Sequence, residues 1–425
     1  MEIYLVGGAV RDALLDLPVK DKDWVVVGGS PDQMLQLGYK KVGRHFPVFL
    51  HPISREEYAL ARTEKKSGRG YVGFVCYSKP DVTLKEDLAR RDLTINAIAK
   101  DKYGVYYDPY GGCIDLQNRK LRHISSAFCE DPLRVLRVAR FSAYFTNLQF
   151  RIAQKTWTLM KKVVHSGELS SLSRERIWRE MDLAFKTHHP QVFLQVLKDC
   201  GALNELFPEL NSAYCSLFTK KKQDSLITTN KKNVFLTLSI VAQNRSEVDI
   251  RFAALCYDLK KSIIIPDNAS NDSKGDKIGT RIISIFCNSL KLPKEHRDLA
   301  LLVSEFYSAF NKIHLSSPEE LITLFNRIDA WRKPCRVEKI ACIVDADSSK
   351  YGACLDNLSS KGEHFYNAWK VAQNVSTQAV ISAGFIGQKI CEELYRRRIS
   401  ALTIWQNSYK SILKTLLNSA VHVNK

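Results

Sequence analysis

The stretch Leu5-Val6-Gly7-Gly8-Ala9-Val10-Arg11-Asp12, followed by Val19-Lys20-Asp21-Lys22-Asp23-Trp24, decides the fold of the N-terminal third. A short β-rich run leads into a Gly-Gly turn and continues as a helix. Backbone N–H groups near Gly8 can therefore approach a phosphate without an intervening Cβ. Arg11, one turn into that helix, can add a bidentate guanidinium contact to a triphosphate.

Asp21 and Asp23 are two residues apart where the next predicted strand begins, so the spacing puts both carboxylates on one face of an extended chain. Such a pair can hold one divalent cation or two. Nucleotidyl transfer needs this arrangement, because Mg²⁺ neutralises the phosphates, lowers the pKa of an attacking 3′-hydroxyl and stabilises the departing pyrophosphate. A lone D-x-D more often marks a turn. Here it follows a strand and a Gly-Gly turn within about two dozen residues, which favours the catalytic interpretation.

A second group of polar residues lies in the segment 86–97, in which the run Arg90-Arg91-Asp92 is followed by Asn96. The two arginines can contact the ribose and triphosphate of a nucleotide. The alternative is a solvated helix face with i,i+4 pairs such as Asp87 with Arg91. Taken alone, this segment favours the solvated face.

A third group begins at Asp131 and continues as a helix in which Arg134, Arg137 and Arg140 form a slanting stripe. Asp131 and Arg134 can offer an acceptor and a bidentate donor to a base edge. That pattern is complementary to cytosine or adenine and rejects guanine and uracil. Arg137 and Arg140 would then face phosphates. Asp131 before Pro132 is also a good helix N-cap, and the two roles are compatible.

The composition constrains the partner and the compartment. The chain has 425 residues with 63 Lys and Arg against 45 Asp and Glu, a formal net charge of +18. This surplus favours a polyanionic partner, although solvated lysine-rich surfaces would give the same count. No run approaches the roughly 18 apolar residues of a membrane helix, and the N-terminus lacks the pattern of a signal peptide. Eleven cysteines without a C-x-x-C pair suit reduced thiols, so we expect a cytoplasmic protein without a membrane partner.

The predicted secondary structure changes near residue 130. Before it, short β-rich runs at 3–6, 24–27, 47–50 and 104–107 alternate with turns. After it, apolar residues recur at helical spacing and little strand signal remains. The predicted fold class is α+β, with a mixed-sheet head followed by an all-α remainder. Residues 266–277, crowded with Asn, Ser, Asp and Gly, predict a long loop.

Taken in order, the G-G-x-V-R-D run, the D-x-D, the R-R-D-x-x-x-N-A block and the E-D-x-x-R-x-x-R helix resemble class II tRNA nucleotidyltransferases. These are the CCA-adding enzymes and the bacterial poly(A) polymerases. The resemblance extends through the whole chain, including residues 58–64, 108–116 and 329–334. It is nearest to CCA-adding enzymes of the proteobacterial type.

The resemblance implies a polymerase-β-like head, Mg²⁺ on Asp21 and Asp23, and untemplated addition of C, C and A to the tRNA 3′ end from CTP and ATP. It implies a catalytic head at residues 1–140, a neck that binds nucleotide and RNA at 141–215, and a helical body and tail at 216–425. By the motif match, the residues that bind CTP or ATP would be Gly8, Arg11, Arg91, Arg137 and Arg140, beside the base-selecting Asp131 and Arg134.

One departure from the family concerns the metal-dependent HD phosphohydrolase domain that many proteobacterial relatives carry. Here Tyr257 precedes Asp258 where the His-Asp pair would be, and no histidine occurs between His189 and His296. Asp258 alone cannot assemble an imidazole-bearing metal site. We predict a degenerate HD-like region at about 228–330 that persists as a helical body without hydrolase activity.

Three questions stay open from the sequence. Poly(A) polymerase shares the local motifs, and a non-catalytic RNA-binding protein can keep the fold, although paired carboxylates facing a polyanion disfavour the latter. Residues 65–71, rich in Gly and Lys, fit a solvated turn or a mobile loop equally well. Neither the choice between monomer and homodimer nor the number of nucleotides that this chain adds alone is determined.

Overall fold

A computed structural model describes residues 1–42, 48–66, 74–212, 235–262, 272–348 and 359–423. The chain divides into two compact units, residues 1–211 and 212–425. Among the described residues, no helix is both long enough and apolar enough to cross a membrane. The predicted domain boundaries at 140 and 215 stay predictions.

The first unit contains the strands of the head. In chain order these are β1 (Glu2–Val6), β2 (Asp23–Val27), β3 (Lys40–Lys41), β4 (Val48–Leu50), β5 (Glu57–Leu60), β6 (Thr63–Lys66), β7 (Phe74–Tyr77), β8 (Ala99–Lys100), β9 (Tyr106–Tyr107), β10 (Lys120–Leu121) and β11 (Arg151–Ile152). Within the described ranges, seven of them form one mixed sheet in the order β3-β4-β5-β2-β1-β8-β9. In that sheet β2 runs parallel to β5 and antiparallel to β1.

The helices of the first unit follow the predicted spacing. They are α1 (Gly8–Leu14), α2 (Pro31–Gln36), α3 (Leu84–Ala89), α4 (Gly112–Gln117), α5 (Leu133–Tyr144), α6 (Gln154–His165), α7 (Arg174–Phe185), α8 (Pro190–Asp199) and α9 (Ala202–Leu206). α5 packs against α7 and α8. It buries Leu136, Val138 and Ala139 completely, which leaves the arginine stripe on its other side.

The second unit is helical throughout its described residues. Its helices are Leu236–Asn244, Val248–Ser262, Asp272–Ser289, Lys294–Glu305, Tyr307–Asn311, Pro318–Arg327, Cys335–Ser348, Lys361–Gln373, Thr377–Ser382 and Gln388–Val423. Its core contains fully buried Phe310, Phe325 and Phe365. The α+β fold class is therefore confirmed. Within the described helical remainder, the two-residue strand β11 is the exception.

The predicted loop over residues 266–277 is wrong for its second half, because 272–277 open the helix Asp272–Ser289. Tertiary contacts outweigh the turn-forming composition there. Lys260 Nζ donates to the carbonyl of Gly275 at 2.6 Å and lies 3.3 Å from Asp276 Oδ1. Asp276 Oδ1 in turn accepts from Ser308 Oγ at 2.9 Å. Residues 266–271 lie outside the described residues, as do 67–71 of the Gly- and Lys-rich segment.

The Tyr257-Asp258 pair lies inside the second unit, where both residues contribute to its packing. Tyr257 is fully buried. Asp258 accepts hydrogen bonds from Thr237 Oγ1 at 2.5 Å and from the backbone N–H of Leu238 at 3.2 Å. Its carboxylate thus anchors the start of the helix Leu236–Asn244. The loss of hydrolase activity stays a prediction.

His364 makes the stability of the second unit depend on pH. It is 2 % exposed, and neither ring nitrogen has a hydrogen-bond partner among the described residues. Burial, with a smaller contribution from His314, lowers the pKa of His364 from 6.5 to about 4. Between those values the unfolded chain binds a proton that the folded chain does not. Stability therefore falls as the pH decreases from 6.5 to 4, by about 3 kcal/mol from this one group.

We expect His364→Phe, which keeps an aromatic ring there, to flatten that part of the stability profile. Urea unfolding at pH 7, 6, 5 and 4, followed by circular dichroism, measures the difference between wild type and variant. Equal pH slopes for the two proteins would show that His364 does not titrate as its burial requires.

Candidate active site

A cleft of about 530 Å³ in the first unit gathers most of the residues that the motifs singled out. Its walls come from the β1–α1 turn, the start of β2, the segment after α3, and the helices α5 and α7. Of the predicted site residues it is lined by Gly8, Arg11, Asp23, Arg91, Asp131, Arg134, Arg137 and Arg140. Asp21 is exposed and does not line the cleft.

The turn between β1 and α1 depends on Gly7 more than on Gly8. Gly7 has φ +70°, and a Cβ there would lie 2.9 Å from Arg91 Nη1. At Gly8 the nearest atom would be Arg11 Nη2 at 3.6 Å, an ordinary contact. The close approach of this turn to Arg91 therefore requires glycine at position 7.

Burial and neighbouring charges shift the ionisation of Asp23. Desolvation raises the pKa of Asp23, and the negative charge of Asp21 raises it further, while Arg91 opposes both. The ionised form of Asp23, which a cation requires, is therefore lost at a higher pH than for an ordinary aspartate. A divalent cation would relieve the repulsion between the two carboxylates.

Asp87 is buried beneath the arginines of the second motif. Its carboxylate accepts from Arg90 Nη2 at 2.8 Å and from Arg91 Nη2 at 3.2 Å, and its exposed fraction is 0 %. Burial alone would raise the pKa of Asp87, but the two guanidinium charges outweigh it and lower the pKa. The i,i+4 pair of Asp87 with Arg91 exists, whereas the solvated helix face is wrong. α3 ends at Ala89, and the following residues turn into the cleft.

Asp92 links three walls of the cleft. It accepts from Arg137 Nε on α5 at 2.7 Å and from Asn96 Nδ2 at 2.9 Å. Asn96 Oδ1 in turn accepts from Arg11 Nη1 on α1 at 2.6 Å. Burial would raise the pKa of Asp92, but the charge of Arg137 and these hydrogen bonds hold it well below its usual range. The site therefore keeps Asp92 ionised.

Asp131 and Arg134 both line the cleft, but they do not pair with each other. Both carboxylate oxygens of Asp131 accept from Arg176 Nη2 on α7, at 2.9 and 3.2 Å. Asp131 also accepts from the backbone N–H of Leu133 at 3.1 Å. The predicted N-cap is wrong by one residue, because α5 begins at Leu133 and Pro132 is its N-cap. Arg134 donates to the carbonyls of Ala127 and Arg90.

The arginine stripe of α5 is held by a residue that the motifs did not indicate. Glu180 on α7 accepts from Arg140 Nε at 2.6 Å and lies 3.7 Å from Arg137 Nη1. Glu180 is 4 % exposed. The ring of Phe141 lies beneath Arg140, with 4.1 Å between the guanidinium carbon and the ring centroid. The sequence could have indicated Glu180, because it follows Arg176 by four residues and so lies on the same face of a helix.

The cleft carries an excess of positive charge. Among the described residues, eight arginines line it against four carboxylates: Arg11, Arg62, Arg90, Arg91, Arg134, Arg137, Arg140 and Arg176 against Asp23, Glu64, Asp92 and Asp131. Burial lowers the pKa of Arg91, Arg134 and Arg140, because desolvation disfavours the charged guanidinium. A bound polyanion would offset this cost.

The chemistry of Asp21 and Asp23 fits Mg²⁺. Among the described residues, no three His, Cys, Asp or Glu side chains are gathered as a complete metal cage. Mg²⁺ does not need one, because it is usually held by one or two carboxylates together with substrate phosphates and water. Two neighbouring carboxylates beside a cationic cleft match that requirement.

The sheet, the helical walls and the cleft together define a polymerase-β-like nucleotidyltransferase head followed by a helical region. Residues 3–122 match the family described as the Poly A polymerase head domain. Residues 149–214 match the family described as the probable RNA and SrmB-binding site of polymerase A. The two matches confirm the resemblance to class II tRNA nucleotidyltransferases over these parts of the chain.

Solved structures with the same fold include several CCA-adding enzymes. The chain is 21% identical to the Thermotoga maritima CCA-adding enzyme complexed with tRNA, covering 99% of this chain and 91% of that one, with a TM-score of 0.58. It is 20% identical to the Bacillus stearothermophilus enzyme in complex with CTP, covering 100% and 95%, with a TM-score of 0.57. A CCA-adding enzyme in apo form II gives 20% identity, 94% and 88% coverage, and a TM-score of 0.62.

Gly7→Ala tests whether the turn positions Arg91. The substitution places a methyl group against Arg91 Nη1 at a positive φ, and backbone strain of that kind costs about 1–3 kcal/mol. Because Arg91 must move, we expect kcat/KM for nucleotide incorporation to fall on the order of 100-fold. Urea unfolding and steady-state kinetics measure the two effects.

Gly38→Ala is the matched control. Gly38 also has a positive φ, +84°, but a Cβ there would meet nothing within 4 Å. The Gly38→Ala variant should lose stability, while its kcat/KM for nucleotide incorporation should stay at the wild-type value. Equal kinetic losses in both variants would attribute the effect of Gly7→Ala to backbone strain alone.

Proposed function

We propose that this protein is a CCA tRNA nucleotidyltransferase. It would add and repair the 3′-terminal CCA of tRNA in the cytoplasm, using CTP and ATP and releasing pyrophosphate. The observation that carries the proposal is the cleft that Asp23 lines together with Gly8, Arg11, Arg91 and the arginines of α5. The likeness to solved CCA-adding enzymes, some with tRNA or CTP bound, supports it.

The reaction joins the tRNA 3′-oxygen to the α-phosphorus of the nucleotide and breaks the bond between the α-phosphorus and the bridging oxygen. The hydroxyl proton leaves, and the electron pair departs with pyrophosphate. Asp21 and Asp23 would hold Mg²⁺, which when bound neutralises phosphate charge and lowers the pKa of the attacking hydroxyl.

Arg11 and Arg91 would bind the phosphates. Arg11 is already oriented by Asn96 and by the rings of Phe141 and Phe145, each about 5.1 Å from its guanidinium carbon. Arg91 is fixed by Asp87. Because these partners hold the guanidinium groups before the nucleotide arrives, less side-chain entropy is lost on binding.

Asp131 and Arg134 would select the base. An acceptor beside a bidentate donor complements the Watson–Crick edges of cytosine and adenine. In the structure Asp131 is held by Arg176, so a base would replace or share that partner. Arg137 and Arg140 would contact phosphates from the same helix.

Poly(A) polymerase is the second candidate, since the head matches a family described by that activity. The deciding experiment supplies a tRNA that ends at its discriminator base with CTP alone and then with CTP and ATP. We expect two C residues and then a single A, resolved on a sequencing gel. A long A tract would establish the second candidate instead, and a protein that binds tRNA without any incorporation would be a non-catalytic RNA-binding protein.

Asp21→Asn shows whether the product comes from this site. Asp21 is exposed, so its replacement should leave the fold and tRNA binding intact while incorporation of labelled CTP falls by orders of magnitude. Asp32→Asn is the matched control, because Asp32 is also an exposed aspartate but lies at the start of α2, away from the cleft. Persistent incorporation by Asp21→Asn would contradict the assigned role.

Asp131→Ala should relax the choice of base. A good bidentate pair contributes about 1–3 kcal/mol of discrimination, so the preference for CTP and ATP over GTP and UTP should drop by about 10- to 100-fold. Arg176→Ala should reduce the same preference less, since it only positions Asp131. Arg179→Ala, an exposed arginine on α7, is the control. Unchanged base preference in Asp131→Ala would rule out its contact with the base.

A further inference from the structure

A second cleft in the first unit, of about 570 Å³, lies outside the candidate active site. Its cationic lining residues are Arg119, Lys120 and Arg151, and its amide residues are Asn118, Asn147 and Gln149. We call it the basic cleft. No carboxylate is among the described residues that line it. This composition differs from that of the active-site cleft, which carboxylates line together with the arginines.

The cations of the basic cleft are brought together by backbone pairing. Lys120 on β10 is in register with Arg151 on the parallel strand β11. In-register neighbours on adjacent strands project to the same side and stand about 4.8 Å apart. Arg119 precedes Lys120, has φ +54°, and places its guanidinium carbon 5.6 Å from the ring centroid of Phe150.

None of these three cations forms an ion pair with a residue that the structure describes. All three are exposed. Three adjacent unpaired cations repel one another, so an anion that bridges them would be stabilising. The amides of Asn118, Asn147 and Gln149 add neutral hydrogen-bond donors of the kind that commonly contact nucleic-acid phosphates.

The helix α5 connects the basic cleft to the candidate active site. Asp131 and Arg134, at its N-terminal end, line the active-site cleft, and Asn147 follows its C-terminal end by three residues. Arg140 also lines the active-site cleft, and from there to the end of the helix at Tyr144 the helix rises about 6 Å. The lining residues of the two clefts are therefore near neighbours along this segment, and a single bound strand can reach both.

We propose that the basic cleft binds phosphate groups of the tRNA acceptor strand. The proposal rests on the function proposed above and adds a contact surface for its substrate. An acidic protein surface fits less well, because Leu148 is the only apolar residue among the described lining residues, whereas protein interfaces are centred on buried apolar anchors.

The test neutralises the basic cleft. The variant Arg119→Gln/Lys120→Gln/Arg151→Gln is compared with wild type by fluorescence anisotropy on labelled tRNA over a range of KCl concentrations. Each lost phosphate contact lowers the slope of log Kd against log[salt] by about 1. We therefore expect a slope smaller by about 2 to 3 and tRNA binding weakened at least tenfold at low salt. The KM for CTP should stay unchanged.

The control variant Lys41→Gln/Lys85→Gln/Lys102→Gln removes the same total charge from exposed positions of the same unit outside the basic cleft. It should retain the wild-type slope. Equal slopes for the two triple variants would overturn the proposal, because the effect would then come from net charge alone.

The binding assay does not require catalysis, so its failure is distinct from a failure of the proposed function. A wild-type protein that adds CCA while the basic-cleft variant binds tRNA normally contradicts only the basic cleft. Wild type that binds tRNA through the basic cleft but adds no nucleotide contradicts only the proposed activity. Circular dichroism of both triple variants confirms that they are folded before binding is compared.

Discussion

The buried carboxylate of Asp92 is the interaction on which the candidate active site depends. Through Arg137 it holds α5, and through Asn96 and Arg11 it holds α1. Removing Arg137 would leave the buried carboxylate of Asp92 without its charged partner, which is costly. The walls of the cleft therefore share one charge network, and the positions of the cationic side chains are coupled before any nucleotide binds.

That network also explains how so many arginines coexist in one cleft. Asp87 forms ion pairs with Arg90 and Arg91, and Glu180 forms ion pairs with Arg137 and Arg140. These acids lie behind the arginines and are almost fully buried, so they orient the guanidinium groups without presenting negative charge to a substrate. Asp21 is exposed instead, and Asp23 is accessible from the cleft. The acids that orient the arginines are therefore buried, whereas the acids suited to binding a cation are accessible to solvent.

Much of the fold and most of the site could be predicted from local sequence. The Gly-Gly turn, the D-x-D and the stripe on α5 are short-range patterns, and the structure gathers all but Asp21 in one cleft. The pairing of Asp131 with Arg176 was not predictable, because the two residues are 45 positions apart in the sequence. Asp131 lies just before α5, and Arg176 lies on α7. The helix at 272–277 was missed for a related reason: Lys260, distant in sequence, stabilises it through Gly275 and Asp276.

The partner of Asp131 bears on the base selection proposed for this site. With Arg176 bound, the carboxylate has a strong, charge-assisted hydrogen-bond donor. A base displaces that donor favourably only if it offers well-aligned donors of its own, since a desolvated carboxylate left unpaired is costly. Cytosine and adenine present an exocyclic amine at that edge, whereas uracil presents a carbonyl that repels the carboxylate. The cost of displacing Arg176 is the same for every base, so the discrimination proposed for this site would come from what each base offers the carboxylate in exchange.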